Sequence, residues 1–227
     1  NHDVVLRSDE ELKRILRIMN GTNDVLYEEC KKARCHDGLD RNLGHLGLCP
    51  AMLHGAEAVQ CKAAKLRWGK GSAQALLARA TIVYILDQMN VTTALARFNR
   101  WGFGFDELFV ASLLATPELR IPGSFTQGVR PEGYTSITRY VDWRDDGTLC
   151  RGELSRHKVC LLTVEYLPTL AYSKKLIANK MMPDHEYTSI SCLSQLIQRR
   201  ALGIEKSHVS EEFYENLPAD YLQGEMP

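Results

Sequence analysis

No sign of charge dominates this chain: 28 lysines and arginines stand against 28 aspartates and glutamates, so the formal net charge is +0 over 227 residues. A protein dedicated to nucleic acid carries a basic excess that neutralises phosphates, so that class is disfavoured and no nucleic acid is expected as a partner. Long apolar runs are lacking too. The best stretch, Ala75 to Leu86, is interrupted by Arg79 and falls short of the roughly 20 residues that span a bilayer. Glycine-rich phosphate loops of the Walker and Rossmann types are absent, as is a Gly-x-Ser-x-Gly elbow, which leaves the chemistries built on them without support. Internal repeats and low-complexity tracts are missing, and no charged, apolar leader follows Asn1.

What is present is globular. At 25.7 kDa, with 44% hydrophobic and 25% charged residues, the chain can bury a core in one domain or two small ones. Its first residue is not a methionine, and the sequence reads as a piece of a longer precursor. Cysteine usage is high for a reducing compartment: Cys30, Cys35, Cys49, Cys61, Cys150, Cys160 and Cys192. Asn20-Gly21-Thr22 and Asn90-Val91-Thr92 are glycosylation acceptor sequences, and together with the cysteines they favour the secretory pathway. An odd cysteine count leaves one thiol without a partner in this sequence.

Periodicity predicts an alternation of helices and strands, hence an α/β architecture. Ser8 followed by Glu11 is a capping box, and Leu12, Ile15, Leu16 and Met19 continue it at helical spacing. Residues 26–64 lose periodicity and hold four cysteines among glycines, the pattern of a cross-linked loop or insertion. Ala73 to Leu77 reads as a short strand, Thr81 to Met89 as a helix, and Thr92 or Thr93 as the cap of another through Phe98. Asp106 opens a helix after an aromatic and glycine turn. An extended connector between Pro117 and Pro122, strands at Tyr140 to Trp143 and Val159 to Val164, a helix from Pro183 and a frayed tail after Gly203 complete the reading.

Three groups of residues could carry chemistry. Glu107, at a helix start among Trp101, Phe103 and Phe105, suits a general base in a sugar-sized cleft, although an acid offsetting the helix dipole is the plainer reading. Arg156, His157, Lys158 and Lys180 could neutralise a diphosphate without metal, or simply be solvated surface. Cys30, Cys35, His36, His45, Cys49 and Cys61 could form a zinc module, but only the Cys30 to Cys35 interval approaches ligand spacing, and disulfides are the better account. No metal site is assigned.

Several short blocks follow one another along the chain: Glu11-Leu12…Ile15-Leu16…Gly21-Thr22-Asn23-Asp24-Val25, then Gly71-Ser72-Ala73 with Arg79…Val83-Tyr84-Ile85-Leu86, then Phe105-Asp106-Glu107-Leu108-Phe109. Pro122-Gly123-Ser124, Arg139-Tyr140-Val141-Asp142-Trp143, Cys150…Val159-Cys160 and Ala178-Asn179-Lys180 continue the series. In this order the blocks resemble the core-2/I-branching β-1,6-N-acetylglucosaminyltransferase family. The resemblance covers the residues before Asn23 and those from about Lys65 to Ala201. It implies a GT-A-type glycosyltransferase fold, with residues 1–227 as the C-terminal part of one catalytic domain and residues 26–64 as a cysteine-rich insertion.

It further implies an inverting, metal-independent enzyme with no cofactor, moving N-acetylglucosamine from UDP-N-acetylglucosamine to a galactose or N-acetylgalactosamine hydroxyl of a glycoprotein O-glycan. Glu107 falls on the family's catalytic glutamate and Lys180 on a lysine that holds the diphosphate. The family's second diphosphate cation falls on His157 without a gap and on Arg156 with one extra residue; Arg156 is preferred because a guanidinium stays charged at neutral pH. A proline usual before the Asp-Glu pair is replaced by Phe105. Cys150 and Cys160 are expected to form a disulfide, and Cys192 to be the odd cysteine, bonded to upstream sequence. The implied setting is the Golgi lumen, in a type II single-pass membrane protein whose anchor lies upstream. Rival readings are a related UDP-xylose or UDP-glucuronate transferase and a non-catalytic, cysteine-stapled secreted binding module.

Overall fold

A reciprocal cap opens the first helix: the Ser8 N–H donates to Glu11 Oε2 at 2.9 Å, and the Glu11 N–H donates to Ser8 Oγ at 3.3 Å. The computed structural model describes residues 2–29, 35, 38, 40–101, 104–124, 136–144, 149–152 and 158–217. In chain order the elements are β1 (Val4–Val5), α1 (Asp9–Met19), β2 (Glu28–Glu29), α2 (Leu43–Leu46), α3 (Gly55–Ala63), β3 (Gly69–Lys70) and α4 (Arg79–Gln88). There follow α5 (Thr92–Phe98), α6 (Asp106–Leu114), β4 (Arg139–Val141), α7 (Leu167–Ala171), β5 (Ile177–Asn179), α8 (Tyr187–Ala201) and α9 (Glu211–Glu215). The chain is therefore mixed α/β, and no helix among the described residues is long and apolar enough to cross a membrane. It divides into two compact units, one from the described residues of Asn1–Met19 and Ser136–Glu215, the other from those of Asn20–Thr135.

The first, the sheet unit, is built on strand order β1-β5-β4. Ala178 lies at its centre, opposite Val4 on the antiparallel side and Tyr140 on the parallel side. Leu6, Cys160, Leu162, Tyr166, Leu170, Met181 and Leu193 pack around it. Several sequence expectations are corrected here. Val159 to Val164 is no strand: Val159 makes an isolated bridge to Trp143, and Val164–Tyr166 forms a 3-10 turn that runs into α7, where Pro168 suits a helix start. Helix α8 starts at Tyr187 rather than Pro183, because the Glu186 carboxylate accepts the Ser189 N–H at 3.0 Å and sets the cap there. Over its described residues, up to 217, the tail after Gly203 is not frayed but returns as α9, whose Tyr214 is buried and donates to the Lys174 carbonyl at 2.8 Å. On α1, Leu16 is 45% exposed, and Glu11 takes an inward position beside Ile15 and Met19.

The second, the helical unit, corrects the reading of residues 26–64 as a loop. They supply α2 and α3 and bury Leu43, Leu46 and Leu48 completely. Asn42 Oδ1 caps α2 by accepting the His45 N–H at 2.9 Å, and Gly47 ends it at φ 72°, a conformation glycine adopts without strain. The Cys49–Cys61 disulfide spans 6.0 Å between Cα atoms and ties α3 back to the segment after α2. Elsewhere Ala73 to Leu77 contributes only an isolated bridge, Leu76 to Asp24, and the connector after Pro117 contains a 3-10 turn, Pro117–Leu119.

Asn23, fully buried, knots this unit. Its Nδ2 donates to the Gly123 carbonyl at 2.9 Å, and its Oδ1 accepts the Ala78 N–H at 2.7 Å, with the Thr81 hydroxyl at 3.0 Å. One side chain thus joins the Asn-Asp-Val block, the start of α4 and the Pro-Gly-Ser block. Because a buried amide leaves every partner unsatisfied if removed, these segments are held together more firmly than apolar contact alone would hold them.

Glu11 is the corresponding polar anchor of the sheet unit. Burial by itself raises its carboxyl, but the Ser8 N–H, the Ser207 hydroxyl at 2.7 Å and the charges of Arg200 and Arg7 outweigh burial, and the net shift is downward. A carboxyl lower in the folded than in the unfolded state contributes stability above the unfolded value and loses it as pH falls through the folded one. The urea midpoint of the wild type is therefore expected to drop as pH is lowered below 4.5, the ordinary value for this group, and Glu11→Gln to respond less steeply over that window. Equal pH slopes for the two proteins would refute this role for Glu11.

Candidate active site

Helix α6 carries Glu107 in its first turn, next to Asp106, where carboxylates are favoured by the unpaired N–H groups of the helix start. Of the aromatic run before it, Phe105 does not line a cleft as the sequence suggests, and the Trp101 side chain lies outside the described residues. Phe105 is buried and stands edge-on to Phe98, with ring centroids 5.6 Å apart. Phe98 in turn meets Trp68 and Phe109 edge-on at 5.6 and 5.4 Å. This cluster pins the helix start from beneath and leaves the Glu107 carboxylate 40% exposed. Phe103 lies outside the described residues.

On its other side α6 is clamped by β3. The Gly71 N–H donates to the Glu107 carbonyl at 2.6 Å, the Gly69 N–H donates to Ser112 Oγ at 3.0 Å, and Ser112 Oγ lies 3.3 Å from the Gly69 carbonyl that it can donate to. Such contact requires glycine. A Cβ on Gly71 would stand 2.4 Å from the Leu26 carbonyl oxygen, and one on Gly69 would stand 2.6 Å from the Tyr27 ring and 2.9 Å from the Ala111 backbone. Between the two glycines Lys70 is delivered to the Glu107 carboxylate, its Nζ 3.6 Å from Oε2. Strand β2 lies antiparallel on β3, with Glu28 opposite Lys70. Sequence reasoning missed Lys70, since nothing in its spacing links it to Glu107; its place between Gly69 and Gly71 was the one available hint.

In the sheet unit, the Cys…Val-Cys and Ala-Asn-Lys blocks are neighbours. The Arg144 N–H donates to the Lys158 carbonyl at 2.8 Å, the Cys160 N–H to the Asp142 carbonyl at 2.9 Å, and the Leu162 N–H to the Lys180 carbonyl at 2.8 Å. Lys180, half-buried, therefore leaves β5 beside the segment that carries Cys160. The Cys150–Cys160 disulfide spans 5.6 Å between Cα atoms. Beneath it the buried Tyr166 hydroxyl donates to Asp142 Oδ2 at 2.7 Å and accepts the Arg151 N–H at 3.2 Å. Burial, and then the bond to Asp142, push the Tyr166 phenol above its ordinary value, so it stays a neutral donor. Arg156 and His157 lie outside the described residues.

Of the remaining sequence candidates, Cys30 and His36 lie outside the described residues. Cys49 and Cys61 are bonded to each other and Cys35 is disulfide-bonded too, so these sulfurs are not zinc ligands. Among the described residues no group of three or more histidine, cysteine, aspartate or glutamate side chains could hold a metal ion. Cys192 is a free, exposed thiol on α8. Asn20 and Asn90 are both exposed, Asn90 Oδ1 accepts the Thr92 N–H at 3.1 Å, and Val91 rather than a threonine stands at the N-cap of α5.

A family model described as Core-2/I-Branching enzyme matches residues 1–171. The chain belongs to that family. Its members are glycosyltransferases, so a nucleotide-sugar donor and a glycan acceptor follow for this chain. The match runs through the cysteine-rich stretch, which the motif resemblance left uncovered, and ends before β5, so that Lys180 rests on the local Ala-Asn-Lys resemblance alone. No curated protein matches the chain significantly.

Through its N–H, Gly71 sets the backbone that carries Glu107. Gly71→Ala is expected to destabilise the protein by about 1–3 kcal/mol, the usual range for overpacking, because Leu26 offers rigid backbone rather than a yielding side chain. Chemical denaturation measures this, and an unchanged midpoint would show that the chain at Gly71 can move away from Leu26 at no cost.

Proposed function

We propose that the chain is the C-terminal part of a GT-A-type catalytic domain that transfers N-acetylglucosamine, with inversion and without metal, from UDP-N-acetylglucosamine to a galactose or N-acetylgalactosamine hydroxyl of a glycoprotein O-glycan, forming a β-1,6 branch. The observation that carries this reading is Glu107: a half-exposed carboxylate on a rigidly clamped helix start, in a chain of the Core-2/I-Branching family. A general base must be ionised, accessible and held still, and the Phe98 cluster and the Gly71 clamp supply the last condition.

In the proposed reaction the acceptor O–H bond breaks and its proton passes to Glu107. The oxygen bonds to the anomeric carbon on the face opposite UDP, and the bond to the diphosphate oxygen breaks with its electron pair leaving on UDP. The negative charge that develops there calls for fixed cations. Lys180, with Arg156 or His157, is assigned that task in place of a metal ion, and the Cys150–Cys160 bridge stiffens the segment next to Lys180. The reading carries a Golgi-lumenal setting, with the nucleotide-binding half and the membrane anchor in upstream sequence and with glycans at the exposed Asn20 and Asn90.

In the full-length transferase, Glu107→Gln is expected to abolish transfer while leaving UDP-sugar binding within a few fold, since the amide keeps the shape but takes up no proton. Turnover retained by this variant would remove Glu107 as the base. Lys180→Ala is expected to weaken UDP-sugar binding by about tenfold or more, in the range set by loss of a charge-assisted contact, with EDTA leaving the wild-type rate unchanged. Inhibition by EDTA that manganese restores would overturn the metal-independent assignment.

A further inference from the structure

The Lys70–Glu107 pair carries an inference that rests on Glu107 being the base. Lys70 does not reach the carboxylate by chance of a long side chain on an open surface. Its backbone is held on both sides: Gly69 exchanges contacts with Ser112, and Gly71 donates to the carbonyl of Glu107 itself. The lysine is fixed to the same helix turn as the acid, and the close approach that fixes it tolerates no Cβ at either neighbour. Its side chain is 26% exposed, so the stem is largely covered while the ammonium meets Glu107 Oε2 at 3.6 Å. That distance is an ionic contact rather than a short hydrogen bond, and the oxygen it engages is Oε2. Glu28 is the residue opposite Lys70 on the ladder.

We propose that Lys70 is a positioning residue of the transfer reaction. Its ammonium holds Oε2 and thereby sets the rotation of the Glu107 carboxylate, and Oε1 is the oxygen presented to the acceptor hydroxyl. During transfer the acceptor O–H proton goes to Oε1, and Lys70 keeps its own three protons throughout. An unanchored glutamate would sample orientations that turn neither lone pair to the hydroxyl, and misplacement of that order slows a reaction without altering donor affinity.

Steady-state kinetics of the full-length transferase with UDP-N-acetylglucosamine, for Lys70→Met, Lys70→Gln and Lys70→Arg, test this. Lys70→Met and Lys70→Gln are expected to lower kcat by about ten- to a hundredfold while the donor KM changes by less than about threefold, and Lys70→Arg to recover kcat to within a few fold of wild type. Thermal unfolding of the three variants should stay close to wild type, because a partly exposed ion pair contributes little to stability. A kcat within about twofold of wild type for Lys70→Gln, an equal loss in Lys70→Arg, or a loss confined to the donor KM would each overturn the proposal. Failure of the base assignment reads differently: Glu107→Gln would then retain turnover, whereas an inactive Glu107→Gln beside a fully active Lys70→Gln refutes the role of Lys70 alone.

Discussion

The contact between β3 and the first turns of α6 is the constraint on which the helical unit and its candidate site both depend. A Cβ at Gly69 would stand 2.9 Å from the Ala111 backbone of α6, and one at Gly71 would stand 2.4 Å from the Leu26 carbonyl oxygen on the neighbouring segment, so the chain must place glycine at both positions and accept their conformational entropy. What that contact secures is position. The Glu107 carbonyl, the Ser112 hydroxyl and the strand become one rigid piece, and Lys70 is carried to the carboxylate with no freedom to choose another partner turn. From the opposite side Phe98 and Phe105 close on the same helix start, so the acid is fixed by apolar packing beneath and by hydrogen bonds beside it.

Around this piece the polar interior works in the same manner. Asn23 joins three chain segments through one buried amide, and Asp24 continues the join by exchanging backbone hydrogen bonds with Leu76 at 2.8 and 2.9 Å. In the sheet unit the Tyr166 hydroxyl does the equivalent, bridging the Asp142 carboxylate and the backbone next to Cys150. Both are cases in which a low-dielectric interior makes a satisfied polar group a strong specifier of geometry. The short blocks by which the chain resembles its family are largely these specifiers and the glycines beside them.

The sequence by itself determined the α/β class, the first helix with its capping box, the helix that begins at Asp106, and the family. Those readings succeed because their causes are local: a cap is settled by residues three apart, and an amphipathic helix by its own spacing. Only the tertiary structure decided the rest. Helices α2 and α3 hide in residues 26–64 because one is a single turn and the other buries little beyond Cys61, too little for periodicity to register. Tail helix α9 is specified by Tyr214 and by an ion pair from Glu211 to Arg14, partners far away in the chain. The start of α8 moved from Pro183 to Tyr187 because a side-chain cap from Glu186 outweighed the local preference of proline. The place of Glu107 in the first turn of a helix was legible because it sits in an ordered motif at a helix start. Lys70 was not, since its pairing with Glu107 arises from the approach of a strand to a helix, and no rule of sequence spacing encodes which side chain such an approach delivers.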